Sequence, residues 1–213
     1  MKLYYFPGAC SLADHIVLKW TGIAHHAVRI SPEAIKSPDY LRLNPNGNVP
    51  LLLHDDLVLT ENAAILQYLA ELRPEAGLLG DGSLQGRIEI LRWLAYLNSD
   101  VHGAFKPIFS PARVLPPPMR SEALLDAIAE QAREHVGVHL QRIDQHLAGR
   151  HWLAAQRSIA DPYLFVMLRW ALHQDIELEA FPHLLRFLER MFEDLHVRAA
   201  IHEEEDQPQP ALA

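Results

Sequence analysis

The chain has one cysteine, Cys10, and it stands where a strand turns into a helix. Lys2 to Phe6 alternates and is rich in aromatics, the pattern of a strand. Pro7-Gly8 breaks it, and from Ser11 the residues Leu12, Ile16, Val17, Trp20 and Ile23 recur at helical spacing. A helix N-terminus carries free N–H groups and partial positive charge, and both favour a thiolate over a thiol. Such a corner suits a reactive sulfur; the plainer alternative is an inert cysteine packing as a small hydrophobe. Thr60-Glu61-Asn62 opens an apolar-periodic stretch, with Thr60 as helix cap and Glu61 in the first turn. Ser158-Ile159-Ala160-Asp161 reads as a capping box: Ser158 bonds the Asp161 N–H and the Asp161 side chain reaches back. His135 and His139, four apart, could hold a metal, but no Glu completes an H-E-x-x-H pattern and both are read as solvent-facing. No metal is expected.

The elements that must position these groups come in a simple order. His25 to Ile30 reads as a second strand, and residues 31 to 48 as a proline-broken loop with a helical turn near Tyr40-Leu41. Leu51 to Leu53 and Leu57 to Leu59 flank His54-Asp55-Asp56 as a hairpin. A helix comes next, through Ala64, Ile65, Tyr68, Leu69 and Leu72, and Pro74 stops it. The order βαβ, then ββα, gives a four-stranded mixed sheet with helices packed on it. A Gly/Pro linker spans 74 to 83, and no strand pattern appears beyond it. Helices are expected over 84–109, 120–148, 158–173, after Pro182, and over 196–203. The chain therefore divides into an α/β domain over 1–75, an all-helical domain over 84–203, and a disordered acidic tail over 204–213.

The 213 residues carry a formal charge of −8, which argues against nucleic acid as the main partner. No run of 18 or more apolar residues occurs and no leader pattern opens the chain, so no membrane contact is expected and the location is read as cytoplasmic. A lone cysteine allows no intramolecular disulfide and fits a reducing compartment.

A βαβ-ββα unit with a cysteine at its first helix and Val49-Pro50 before the third strand resembles the thioredoxin-like fold. With a helical domain attached, residues 1 to 203 resemble the glutathione S-transferases. The opening Met1-Lys-Leu-Tyr-Tyr…Pro-Gly-Ala-Cys10-Ser11-Leu12 is similar to the bacterial beta class, which carries a cysteine here. Asn44-Pro45…Gly47-Asn48-Val49-Pro50, Leu59-Thr60-Glu61 and Ser158-Ile159-Ala160-Asp161…Tyr163-Leu164-Phe165 match further family segments in the right order.

The resemblance implies a glutathione site. Pro50 would be cis, and the backbone of Val49 would pair with the cysteinyl part of glutathione. The N–H groups before Asn62 would bind the γ-glutamyl carboxylate, Glu61 would accept the ammonium, and Asn62, where relatives have Ser or Gly, could still donate. Cys10 would lie beside the glutathione thiol, able to form a mixed disulfide, with Ser11 as a hydroxyl donor and His102 facing them; Tyr5 is read as core or support. Two departures stand out: Gly103 replaces a family lysine, and Ala95 stands where an asparagine is expected. Phe105, Ile108 and Phe109 with Tyr163 would form an acceptor pocket, while Trp170 is read as core.

The activity implied is conjugation of glutathione, as co-substrate, to a small hydrophobic electrophile by a homodimer with no permanently bound cofactor. The alternatives are a catalytically weak binding or regulatory module, motivated by Ala95 and Gly103, and a glutathione-dependent disulfide reductase or peroxidase using Cys10.

Overall fold

The computed structural model describes residues 1–206. Strands β1 (Lys2–Tyr5), β2 (His26–Arg29), β3 (Leu51–His54) and β4 (Leu57–Thr60) form one mixed sheet in the order β2-β1-β3-β4. β1 runs parallel to β2 and antiparallel to β3, and β3 runs antiparallel to β4. A parallel pair needs a crossover, which α1 (Leu12–Thr21) supplies. The register sets Leu3 opposite Leu52, and both are buried in the core that includes Ile65, Leu66 and Leu69 of α3 (Asn62–Glu71). Between β2 and β3, α2 (Pro38–Leu43) starts where Ser37 Oγ accepts the Tyr40 N–H. The Tyr40 hydroxyl donates to Asn48 O at 2.6 Å, anchoring the loop just before the cis Val49-Pro50 peptide.

The second half is helical. Residues 84–109, expected as one helix, form α4 (Leu84–Tyr96), a π turn (Leu97–Val101) and α5 (His102–Phe109). The wide turn closes with the His102 N–H on Leu97 O, an i→i−5 bond that accommodates one extra residue and rotates α5 relative to α4. α6 (Glu122–His146), α7 (Ala160–His173), α8 (Pro182–Glu193) and α9 (Leu195–Asp206) complete the bundle. α7 lies at its centre, and every residue from Ala160 to Leu168 is buried.

α1 is sandwiched between the sheet domain and the helical domain, with Leu12 through Leu18 all buried. Side-chain contacts hold the domains together around it. Trp170 Nε1 donates to Gly8 O at 2.7 Å, Trp20 Nε1 donates to Asp194 Oδ2 at 3.1 Å, and His15 lies between the carboxylates of Glu203 and Glu204. The last contact corrects the reading of the chain's end. Residues 203–206 belong to α9 instead of a solvated or disordered tail, and Glu204 is only 2% exposed. Residues 207–213 of that expected tail lie outside the described residues.

The capping box is half as expected. Asp161 reaches back to accept from Ser158 N at 2.7 Å and Ser158 Oγ at 3.1 Å, but Ser158 Oγ accepts from Ala160 N, not from Asp161 N. The other Asp161 oxygen accepts from Leu153 N at 3.0 Å, so one buried carboxyl fastens two segments. Burial pushes this carboxyl up to about 6 despite those donors. Asp161→Ala leaves two buried N–H groups unpaired and is expected to cost roughly 2–4 kcal/mol. Asp161→Asn, which still accepts, is expected to cost less than half of that. Equilibrium unfolding in denaturant measures both, and equal losses would show that hydrogen-bond acceptance is not what Asp161 contributes.

Candidate active site

Two cavities meet where the sheet domain faces the helical domain, and Cys10 and His102 line both. The smaller, about 250 Å³, is the more polar: Asn48, Val49, Pro50, Glu61, Asn62, Asn98, Lys106 and Tyr163 complete its wall. The larger, about 450 Å³, is mostly apolar and runs along the Phe6–Ala9 turn to Leu12, Phe109, Val166 and Trp170, with Arg169 and His173 at its side. A chamber with polar anchors beside an apolar chamber, joined at a sulfur and an imidazole, suits a two-substrate reaction.

Cys10 precedes the first turn of α1 and its Sγ–H donates to Val49 O at 3.7 Å. The thiol is pushed up to about 12, by burial first and then by Asp14, against the smaller opposite pull of the Cys10 and Ser11 N–H groups. The sequence-based expectation of a thiolate is therefore reversed. The helix-end effect is modest and confined to the first turn, whereas desolvation of a charge can move a group by several units. Asp14 itself is fully buried, neither carboxyl oxygen has a hydrogen-bond partner, and burial holds it well above the usual carboxylate range. Nothing in the sequence singled it out, because a charged residue on a helix is ordinarily read as solvent-facing. Tyr5 is core as expected, its hydroxyl raised to about 12 by burial.

Ser11 lines neither cavity. It is completely buried and its Oγ accepts the Phe6 N–H at 3.4 Å, bracing the turn between β1 and α1 instead of meeting a ligand. Thr60 ends β4 and caps nothing; Glu61 occupies the cap position of α3 at φ 72° and ψ 117°. A non-glycine residue with positive φ is strained by about 1 kcal/mol or more, and here the strain turns the chain so that Glu61 lines the polar cavity. Asn62 is buried and uses its amide to donate to Cys10 O at 2.9 Å, tying α3 to the cysteine turn.

His102 Nδ1 is 2.7 Å from the Tyr163 hydroxyl, and that hydroxyl donates to Asn98 Oδ1 at 3.1 Å. Since the tyrosine proton goes to Asn98, the tyrosine oxygen is left to accept from His102 Nδ1–H. The network thus assigns the neutral tautomer with Nε2 as acceptor. Burial, with Lys106 adding to it, lowers His102 to about 4, and burial raises Tyr163, so both are neutral at physiological pH.

The two departures at Ala95 and Gly103 acquire a structural answer. Ala95 is exposed and lines neither cavity, while Asn98 and Lys106 from the same helical path line the polar one. Both stand four residues from His102, one helical turn before and after it, and were passed over because the family resemblance pointed to positions 95 and 103 instead. The acceptor residues also shift. Phe109 lines the apolar cavity, but Phe105 is fully buried and stacks behind it, and Tyr163 belongs to the polar cavity. Trp170, read as core, walls the apolar cavity and packs edge-on against His102 at 4.9 Å.

Comparison with known proteins agrees with this architecture. Residues 1–71 match the family model for the glutathione S-transferase N-terminal domain, and residues 104–194 match that for the C-terminal domain. A glutathione S-transferase of Xanthomonas campestris, GST-4.5, is 47% identical over 205 residues, covering 96% of this chain and 98% of that protein. A sphingomonad glutathione S-transferase complexed with glutathione superposes with a TM-score of 0.84 at 39% identity, covering 97% of this chain and all of the other. The bacterial beta-class enzyme of Sphingomonas chungbukensis gives 0.83 at 38% identity, covering 96% and 98%. Fold and site together define a two-domain, thioredoxin-like transferase of the beta type. The chain belongs to the glutathione S-transferase family.

A thiol held near 12 carries on the order of 10³-fold less thiolate at pH 7.5 than an ordinary cysteine. Alkylation of Cys10 by iodoacetamide is therefore expected to be slower than that of a free thiol by that factor, and to keep rising with pH beyond 9. A rate that levels off below pH 8 would show that the helix end prevails over burial.

Proposed function

We propose that this glutathione transferase joins glutathione to small hydrophobic electrophiles, with glutathione in the polar cavity and the electrophile in the apolar one. The observation that carries the reading is the shared wall: Cys10 and His102 border both cavities, so a sulfur placed there faces both substrates. In this reading the cysteinyl backbone of glutathione pairs with Val49 beside Pro50. Its γ-glutamyl end sits at the start of α3, the carboxylate on free N–H groups and the ammonium on Glu61. Lys106 lies where the glycyl carboxylate can meet an ammonium.

His102 then accepts the thiol proton on Nε2. Its low pKa keeps the accepting form populated at neutral pH and also makes it a weak base. Proton transfer therefore depends on forming a thiolate–imidazolium pair, with Lys106 adding positive charge nearby. Tyr163 and Asn98 hold the imidazole in the accepting tautomer. Cys10 stays a neutral thiol beside the sulfur, which favours conjugation over disulfide reduction as the main reaction. A mixed disulfide with Cys10 remains a side reaction when oxidised glutathione is present: the deprotonated Cys10 sulfur attacks one sulfur of the disulfide, the S–S bond breaks, and the other half leaves as glutathione thiolate and takes up the proton. Asn98 and Lys106 supply the polar groups whose expected loss motivated a non-catalytic module. For assembly, the exposed stripe Leu84, Ile88 and Leu91 on α4 suits a second copy of the chain and supports a homodimer. We place the protein in the cytoplasm, where glutathione is reduced, in keeping with detoxification; among the described residues no helix is long and apolar enough to cross a membrane.

Calorimetric titration with reduced glutathione is expected to show saturable binding in the micromolar to millimolar range. Tyr163→Phe is expected to retain most of that affinity and to lower kcat toward an activated aryl halide roughly 10–100-fold, since base catalysis is typically worth 10²–10⁴. Absent binding would sink the function, and an unchanged kcat would sink the role given to His102 and its tyrosine. Incubation with oxidised glutathione followed by intact-mass measurement is expected to show a single glutathione adduct that Cys10→Ala removes. An adduct persisting in Cys10→Ala would mean that the sulfur lies elsewhere.

A further inference from the structure

Among residues that line neither active-site cavity, three distant in sequence bring metal-binding atoms together. His15 of α1, His25 just before β2 and Glu203 of α9 each offer one donor atom, and the three atoms lie within 4.8 Å of one another. Each histidine already has its other nitrogen engaged. His25 Nδ1 bonds Ile23 O at 2.8 Å, and His15 Nδ1 faces Glu204 Oε1 at 3.4 Å. That leaves an Nε2 on each ring as the atom to offer. The His15–Glu204 contact is the carboxylate–histidine arrangement that orients metal-bound imidazoles, and the backbone carbonyl serves His25 in the same way. His15 is entirely buried and Glu204 is 2% exposed, so neither can satisfy its polar atoms with bulk water.

His15 Nε2 lies 3.1 Å from Glu203 Oε2. With the Nδ1 proton directed at Glu204, a lone pair and a carboxylate oxygen would face each other there, and something positive must stand between them. A proton is one answer and a metal ion is the other. Lys19 bonds the other oxygen of Glu203, which fixes the carboxylate while leaving Oε2 on the histidine side.

We propose that His15, His25 and Glu203 form a zinc site, with a water completing four-coordination, that ties α9 to α1 and to the turn before β2. Two imidazoles and a carboxylate are a donor set that zinc favours. Bonds of 2.0–2.2 Å put neighbouring donors about 3.4 Å apart in a tetrahedron, so the side chains need to draw in by roughly 1 Å from their outer spacing. The site is separate from both active-site cavities, none of its three ligands lining either. It lies away from His135 and His139, which pair on α6 at 3.2 Å between Nε2 atoms.

The test is calorimetric titration of zinc chloride into the untagged full-length protein carrying His135→Ala and His139→Ala, which removes the other histidine pair. One equivalent is expected to bind, to raise the melting temperature by several degrees, and to weaken at least tenfold on adding either His25→Ala or Glu203→Gln. Both residues are partly exposed, so the variants are expected to fold; melting in the absence of zinc checks each one, and cobalt substitution reads the geometry through its visible absorption. No saturable binding, or binding that neither substitution weakens, overturns the proposal.

Discussion

The structure depends on the burial of α1 on all sides. A helix between a sheet and a helical bundle cannot present a polar face to water, so the polar residues it carries must find partners or stay neutral. Burial holds the Asp14 carboxyl well above the usual carboxylate range, His15 meets two glutamates of α9, and Trp20 reaches Asp194. These are also the contacts that seat the helical domain on the sheet domain. The same burial places Cys10 at the junction and keeps its thiol protonated. The docking of domains and the chemistry of the site are therefore one constraint, imposed by the environment of a single helix.

Much of the fold was legible because it is written in local patterns. The β1–Cys10–α1 corner, the hairpin after Pro50 and the helical second half come from period-2 and period-3.6 spacing, and the family segments order them. The lining of the polar cavity was legible where backbone geometry dominates, at Val49, Pro50 and Glu61. It was illegible where a side chain's environment is supplied from far away in the chain. The direction of the Cys10 shift depends on what buries it, which no local pattern records. Glu203 and Glu204 look like part of a solvated acidic end, yet their partner His15 lies 188 and 189 positions earlier.

Asn98 and Lys106 were missed for a different reason. They lie one helical turn either side of His102, so local spacing already placed them on its face, but the family segments directed attention to positions 95 and 103. The groups that seemed lost at Ala95 and Gly103 are present three residues further along in each case. Position in space, not position in an aligned string, decides whether the cavity keeps its polar lining.

The shared wall of the two cavities has a consequence for turnover. In the proposed reaction each substrate would fill one chamber, whereas a conjugate would be a single molecule occupying both. It keeps the contacts of both halves while losing translational freedom only once, so it is held more tightly than either reactant alone. Under that proposal, departure of product rather than bond formation would become the slow step once the electrophile is reactive enough. An accumulating conjugate would throttle the enzyme, tying its throughput to whatever exports or consumes that product.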